Sequence, residues 1–275
     1  MQNFIAKLIG AIINLIGFFA PKTAGTMALK LFSTPKRIDY KELQLDFLGT
    51  AYKEELHYEG LPLMTYRWLG KKETVLLAHG WESNSFRWKS LIERLKKLDY
   101  TIVSLDAPAH GRSGGSQFNA LLYAECINVV AKRFKANVIV GHSVGGMSAA
   151  FFMHKYQMPS VEKLVLLGAP SNFVGVFKRY TDMMGYSTKV INALNHLIFE
   201  RFNQHPDYFN VAKFSSEIQA EGLIVHDEND RIIPYSDARD FSNYYKKSKL
   251  ITTNGLGHGL RNDEVNEHII SFISA

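Results

Sequence analysis

The chain has a single cysteine, Cys126, in 275 residues. One thiol excludes an intrachain disulfide and a cysteine-built zinc site. Its place in "LLYAECINVVAKRF", among helix-forming apolar residues, marks it as core filling. The ten histidines contain no H-E-x-x-H and no other close ligand pair, so no metal is expected. No G-x-G-x-x-G and no P-loop occurs, and no cofactor is implied. Lysine pairs at 71–72, 96–97 and 246–247 are scattered, and no basic stripe is interleaved with aromatics. Nucleic acid is therefore not an expected partner, despite a formal net charge of +6. Internal repeats and low-complexity tracts are missing too.

What remains is an ordinary globular composition, 46% hydrophobic and 21% charged, in a chain long enough for one large α/β domain or two small ones. The charge is uneven. Residues 1–40 hold Lys7, Lys22, Lys30, Lys36 and Arg37 against Asp39, a net +4, so the other 235 residues share +2. The same region opens on "NFIAKLIGAIINLIGFFAPK", apolar from Phe4 to Ala20 except at Lys7 and Asn14. Asn3, Lys7, Gly10, Asn14 and Gly17 fall near heptad spacing, so a helix here carries one narrow polar or small stripe. Three readings stand for residues 1–20: a helix on a membrane surface, a helix packed on the protein's own body, and a signal peptide or true span. The basic bias favours an anionic membrane face. The segment lacks the basic cluster and small-residue cleavage site of a signal peptide. The location expected from this is cytoplasmic, peripheral to the inner face of a membrane.

After Pro21, "KTAGTMALKLF" and "RIDYKELQLDFLGTAY" read as helices, and residues 1–40 as an N-terminal helical extension. From about residue 41 to the C-terminus the pattern alternates. "ELHYEG" and "LPLMTYRWLG" form an expected hairpin, with Gly60 and Pro62 at the turn. Apolar runs in "TVLLAHG", "YTIVSLDAP", "ANVIVG", "VEKLVLLGAP", "EGLIVHDEND" and "SKLITTN" then alternate with helical segments. That order predicts an α/β fold with a mostly parallel sheet and helices on both faces. One insertion, about 171–220, is helical and rich in Phe, Met and Tyr. Leaving from the carboxyl end of a strand, it is expected to be a helical cap over an apolar site.

The segment "NVIVGHSVGGMSAA" sets Ser143 between a buried strand and a helix, in the G-x-S-x-G pattern of a nucleophile elbow. A serine hydroxyl needs a base, and the base needs a carboxylate to orient it. "GLIVHDENDRIIP" supplies Asp227, Glu228 and Asp230 after one later strand, and "LITTNGLGHGLRN" supplies His258 after the next. The order Ser143, Asp230, His258 is the one an α/β-hydrolase requires.

With "LLAHGW", "LDAPAHGRSGG", "VGHSVGGM", "HDENDRIIP" and "GLGHGL", the chain from about Tyr66 onward resembles the serine hydrolases of the α/β-hydrolase superfamily. The resemblance implies a nucleophile Ser143, a base His258 and an acid Asp230, which precedes Ile232-Ile233-Pro234. Asp227 and Glu228 stay open as alternatives for the acid. It further implies an oxyanion hole made by the backbone N–H groups of Trp81 and Val144. Asp106 and the histidines His79, His110 and His142 take structural roles, and Ala109 stands where the family more often has glycine. The activity implied is hydrolysis of carboxylic esters through an acyl-serine, on a small-molecule ester or acyl substrate. Thioesters and lipid acyl groups fit the same residues. Two other classes are a catalytically silent hydrolase-fold binding protein and a membrane scaffold led by the N-terminal helix.

Overall fold

The computed structural model describes residues 2–275. The chain divides into two compact units, one of Pro35–Ser171 with Val211–Ala275, the other of the residues up to Thr34 with Asn172–Asn210.

The larger unit is built on eight strands: β1 (Tyr52–Tyr58), β2 (Leu61–Trp68), β3 (Lys72–Ala78), β4 (Tyr100–Leu105), β5 (Val138–His142), β6 (Lys163–Leu167), β7 (Glu221–Asp227) and β8 (Ser248–Thr253). Their order is β1-β2-β4-β3-β5-β6-β7-β8. β1, β2 and β4 pair antiparallel, and every later pairing is parallel. The sheet is therefore mostly parallel, as the alternating pattern requires.

The central strands are apolar almost throughout because both faces are covered. Val75, Leu77, Val138, Val140, Val165, Leu167, Leu223 and Val225 pack in one core with Leu91, Ile92 and Leu95 of α4 (Lys89–Lys97) and Val265, Ile269 and Ile273 of α11 (Asp263–Ser274). The helix α5 (Ala120–Phe134) contacts β1 and β3, and α6 (Val144–Tyr156) contacts β3, β5 and β6. Two short segments complete the unit's helices besides these, α3 (Glu42–Gly49) and α9 (Val211–Phe214), with α10 (Ser236–Tyr244) against β7 and β8.

The hairpin turn falls at Glu59 and Gly60, both with positive φ (48° and 80°), as a tight two-residue turn demands. Pro62, expected in that turn, instead lies within β2 opposite His57, before β4 begins to pair at Thr65. The expected helix over 37–52 shrinks to α3, since Tyr52 already starts β1.

Strand order reverses between β3 and β5. That is the switch point where an open α/β sheet leaves a crevice beyond its carboxyl ends.

The smaller unit brings together two parts of the sequence that look independent. The helices α1 (Gln2–Phe19) and α2 (Pro21–Ser33) pack with α7 (Phe173–Met184) and α8 (Thr188–Phe202) from the insertion. The small residues of the α1 stripe explain how. A Cβ on Gly10 would lie 1.7 Å from the Met184 carbonyl oxygen, and one on Gly17 would lie 2.8 Å from a Val190 methyl. Asn14 sits between them. Its side-chain amide donates to Gly185 O at 2.8 Å, and its carbonyl accepts from Ser187 N at 2.7 Å. One asparagine thus satisfies the end of α7 and the start of α8, groups that have no partner inside their helices. Ala24, Gly25 and Ala28 make the matching close face of α2, where a Cβ on Gly25 would come 2.9 Å from the Ala193 Cβ. From Val211 the insertion belongs to the larger unit again. Among the described residues no helix is long and apolar enough to cross a membrane.

Candidate active site

Ser143 stands at the end of β5 with φ 54° and ψ −128°. A residue other than glycine in that region carries about 1–3 kcal/mol of strain, tolerated only where the surroundings over-determine it. Here they do. Ser143 N donates to Leu167 O at 2.8 Å, and Gly146 N and Met147 N donate to Ser143 O at 2.9 and 3.1 Å. The strand, turn and helix are pressed together as well. A Cβ on Gly141 would lie 2.5 Å from Gly146 Cα, and one on Gly145 would lie 2.4 Å from Ala78 O. The glycines of "GHSVGG" are the residues that let α6 start directly against β3 and β5.

The loops after β7 and β8 deliver the partners. Ser143 Oγ lies 3.0 Å from His258 Nε2, and His258 Nδ1 lies 2.7 Å from Asp230 Oδ2. With Nδ1–H donating to the carboxylate, Nε2 is left to accept the serine proton. Asp230 is fixed by its other oxygen, Oδ1, which accepts from Ile232 N at 2.8 Å and Ile233 N at 2.9 Å. His226 adds a contact to Oδ2 at 3.4 Å. Burial alone raises the pKa of this carboxyl. The hydrogen bonds from His226, His258 and the Ile233 and Ile232 amides outweigh that and hold it well below the usual carboxylate range.

The neighbouring acids do different work. Asp227 Oδ2 accepts from Thr253 Oγ1 at 2.8 Å and Leu256 N at 2.9 Å, and Oδ1 accepts from Asn229 N at 3.0 Å. It ties the β7 loop to the loop that carries His258. Glu228 is exposed and accepts from the Asn254 side chain at 3.0 Å. Of the three acids, Asp230 is the one brought to His258.

Two buried histidines shape the β3 side of the crevice. His79 Nδ1–H donates to Gly80 O at 2.8 Å while Nε2 accepts from Ala107 N at 2.9 Å. His110 Nδ1–H donates to Pro108 O at 2.8 Å while Nε2 accepts from Glu82 N at 3.0 Å. Both rings are thus neutral, and burial pushes their pKa values down. They clamp the turn bearing Trp81 to the 106–115 loop. Gly80 brings that turn against the elbow, where a Cβ on it would lie 2.9 Å from Ser143 Cβ. Val144 is the first residue of α6, so its N–H has no partner within the helix. Asp106 anchors its own loop: it accepts from Tyr40 Oη at 2.6 Å, Ser85 N at 2.9 Å and Arg112 N at 2.9 Å.

Arg87 and His226 carried no signal in the sequence. Arg87 Nη2 donates to Gly259 O at 3.1 Å and Nη1 meets His142 Nδ1. His142 Nε2–H donates in turn to His258 O at 2.8 Å. Arg87 and His142 together hold the two successive carbonyl groups of His258 and Gly259. The contacts join residues 116 and 172 positions apart, which no local pattern marks.

The model of the alpha/beta hydrolase family matches residues 75–267, and the chain belongs to that family. It is 22% identical over 254 residues to a bifunctional esterase/perhydrolase of Acinetobacter calcoaceticus, covering 72% of this chain and 91% of that protein. It is 25% identical over 263 residues to a non-heme haloperoxidase of Rhodococcus erythropolis, covering 76% and 95%. Among solved structures, an esterase from Rhodococcus sp. ECU1013 superposes with a TM-score of 0.65 at 17% identity, covering 82% of this chain and 99% of that one. The family match and the relatives support a hydrolase.

Proposed function

We propose that the protein hydrolyses carboxylic esters through an acyl-serine. The observation that carries this reading is the unbroken chain of 3.0 Å and 2.7 Å from Ser143 Oγ through His258 to Asp230. Ser143 Oγ attacks the ester carbonyl while His258 Nε2 takes its proton. Asp230 holds the ring in the tautomer that leaves Nε2 free and stabilises the imidazolium that forms. The tetrahedral oxyanion is received by the Trp81 and Val144 N–H groups, with the positive end of the α6 dipole behind the second. The imidazolium then protonates the leaving alcohol. In the second half, His258 takes a proton from water, which attacks the acyl-serine and frees the acid and the serine hydroxyl.

A fluorophosphonate probe on folded wild type and Ser143→Ala, followed by a p-nitrophenyl ester series of increasing acyl length, tests the reading. Labelling is expected in wild type alone, at Ser143, with turnover that vanishes in the variant. Folded wild type that neither labels nor turns over any ester of the series would instead mark a hydrolase fold used for binding.

A further inference from the structure

The smaller unit has an orientation that a helix packed only for its own fold does not need. At 3.6 residues per turn, the positions of α1 that touch α2, α7 and α8 lie on one side. That side is Gly10, Ile13, Asn14 and Gly17, all packed or hydrogen-bonded. The opposite arc, about 120° wide, holds Phe4, Leu8, Ile12, Leu15, Phe18 and Phe19, which are 73, 54, 53, 66, 65 and 79% exposed. The small and polar stripe faces inward and the large apolar residues face out. Such a face on one helix marks an interaction surface.

Charge identifies the partner. Residues 1–34 contain Lys7, Lys22 and Lys30 and no acid. Lys7 lies at the edge of the apolar arc and is exposed. Lys189 reaches the same margin about three turns further along, its Nζ 4.5 Å from the Phe18 ring centroid. Lys22 is exposed near the end of α1, its Nζ 3.8 Å from a Glu200 carboxylate oxygen. The unit as a whole carries seven basic and three acidic side chains. A second copy laid face to face and antiparallel would set the Lys7 end of this margin against the Lys189 end of its mate, lysine against lysine. A surface of anionic lipid headgroups over acyl chains complements both parts at once. α1 is about 27 Å long and falls short of a membrane span, so it suits lying in the interface plane.

We propose that the outward face of α1 docks the protein on an anionic lipid bilayer, with Phe4, Leu8, Leu15 and Phe18 entering the acyl boundary and Lys7, Lys22 and Lys189 meeting the headgroups. The inference does not depend on which reaction Ser143 performs.

The test is co-sedimentation of the full chain with phosphatidylcholine vesicles, with and without phosphatidylglycerol. The variants are Leu8→Gln/Leu15→Gln/Phe18→Gln and, separately, Lys7→Glu/Lys22→Glu. None of these positions is packed in the core of the unit, and circular dichroism checks the fold. Wild type is expected to pellet with phosphatidylglycerol vesicles, at least tenfold less with phosphatidylcholine alone. The apolar triple variant loses binding tenfold or more, and the charge variant loses the preference for anionic lipid. Turnover of a soluble ester stays within twofold in both. No pelleting of wild type with anionic vesicles, or equal pelleting by the triple variant, overturns the proposal. A dimer in solution that the triple variant dissolves, with no vesicle binding, assigns the face to a second copy and overturns it as well.

Discussion

Asp230 and Asp227 are three residues apart, both buried, and both ringed by donors, yet they should fail in opposite ways when changed to asparagine. In Asp230→Asn the side-chain oxygen can keep the Ile232 and Ile233 amides at 2.8 and 2.9 Å, so the loop survives. The new NH₂ then takes the place of Oδ2, which accepts from His258 Nδ1 at 2.7 Å. A donor there favours the tautomer with Nδ1 unprotonated and the proton on Nε2, the atom that has to accept from Ser143. The analogous change in a serine protease lowers kcat about 10⁴-fold, or about 5.5 kcal/mol on the barrier at 1.36 per decade. The stability lost is one hydrogen bond, about 1–2 kcal/mol. Asp227→Asn does the reverse. Its two oxygens take three donors, Thr253 Oγ1 and Leu256 N on Oδ2 and Asn229 N on Oδ1, so an amide that keeps its oxygen on the first two turns its NH₂ onto Asn229 N, and the charge is lost from all three bonds. With one donor left unsatisfied at about 1–3 kcal/mol and two bonds reduced from charged to neutral, the loss is about 2–4 kcal/mol, with kcat per folded molecule within tenfold of wild type. Steady-state kinetics on a p-nitrophenyl ester and urea unfolding of both variants read the two quantities separately. If Asp227→Asn lost a thousandfold or more in kcat while Asp230→Asn stayed within tenfold, the acid would be misassigned and the argument with it.

Gly10→Ala should lower the unfolding midpoint by the equivalent of about 1–3 kcal/mol, because its Cβ would fall 1.7 Å from Met184 O; Gly49→Ala, in α3 with open space around it, should leave it unchanged or raise it by up to about 1 kcal/mol. Equal effects on thermal melts followed by circular dichroism would refute the close-packing argument for α1. His79, His110 and His142 all have pKa values pushed down, chiefly by burial. They stay neutral in the fold while protonating in the unfolded chain below about pH 6.5. The unfolded state then binds more protons, so stability present above that pH is lost as pH falls toward the folded values, by up to about 1.4 kcal/mol per pH unit for each ring. Urea midpoints should therefore drop steadily from about pH 7.5 to 5.5, and a flat or rising midpoint would contradict the neutral assignments. Arg87→Met keeps the stem but frees Gly259 O and His142; kcat should fall about 10- to 100-fold with KM little changed, through misplacement of His258. A KM effect alone would show that Arg87 serves substrate binding instead.

The parts of this fold that could be read in advance are those written locally. "TVLLAHG" and "ANVIVG" announce strands buried on both faces, and "GHSVGG" announces an elbow because steric pressure from Gly146, Ala78 and His79 acts within a few residues of the serine or on the next strand. The order of Ser143, Asp230 and His258 could be read because each lies just beyond a strand end. Position after the strand does not separate Asp230 from Asp227; the resemblance, through Ile232-Ile233-Pro234, favours Asp230, while it is the direction of the backbone after β7 that sends one toward His258 and the other toward Thr253. Arg87 was invisible for a related reason: its partners lie at His142 and Gly259, and distance along the chain erases the signal.

The N-terminal helix makes the sharper case. Its heptad stripe of Lys7, Gly10, Asn14 and Gly17 was legible, but a stripe says only that two faces differ, not which one is inside. The usual inference sends small and polar residues to solvent and large apolar ones to the core. Here Gly10 and Gly17 are needed where α7 and α8 approach too closely for a side chain, and Asn14 is needed where two helix ends would otherwise leave unpaired groups. Those demands come from helices at 173–202, and they fix the orientation of α1 regardless of hydrophobicity. Phe4, Leu8, Leu15 and Phe18 are then left facing out. Burying four such side chains in lipid offers about 1.5–3 kcal/mol each at full burial. Half of that over the four, about 3–6 kcal/mol, matches or exceeds the roughly 3 kcal/mol that Lys7, Lys22 and Lys189 add together at an anionic surface. Apolar contact should therefore set the strength of any membrane binding and charge its lipid preference, so raising salt should weaken binding to anionic vesicles without abolishing it.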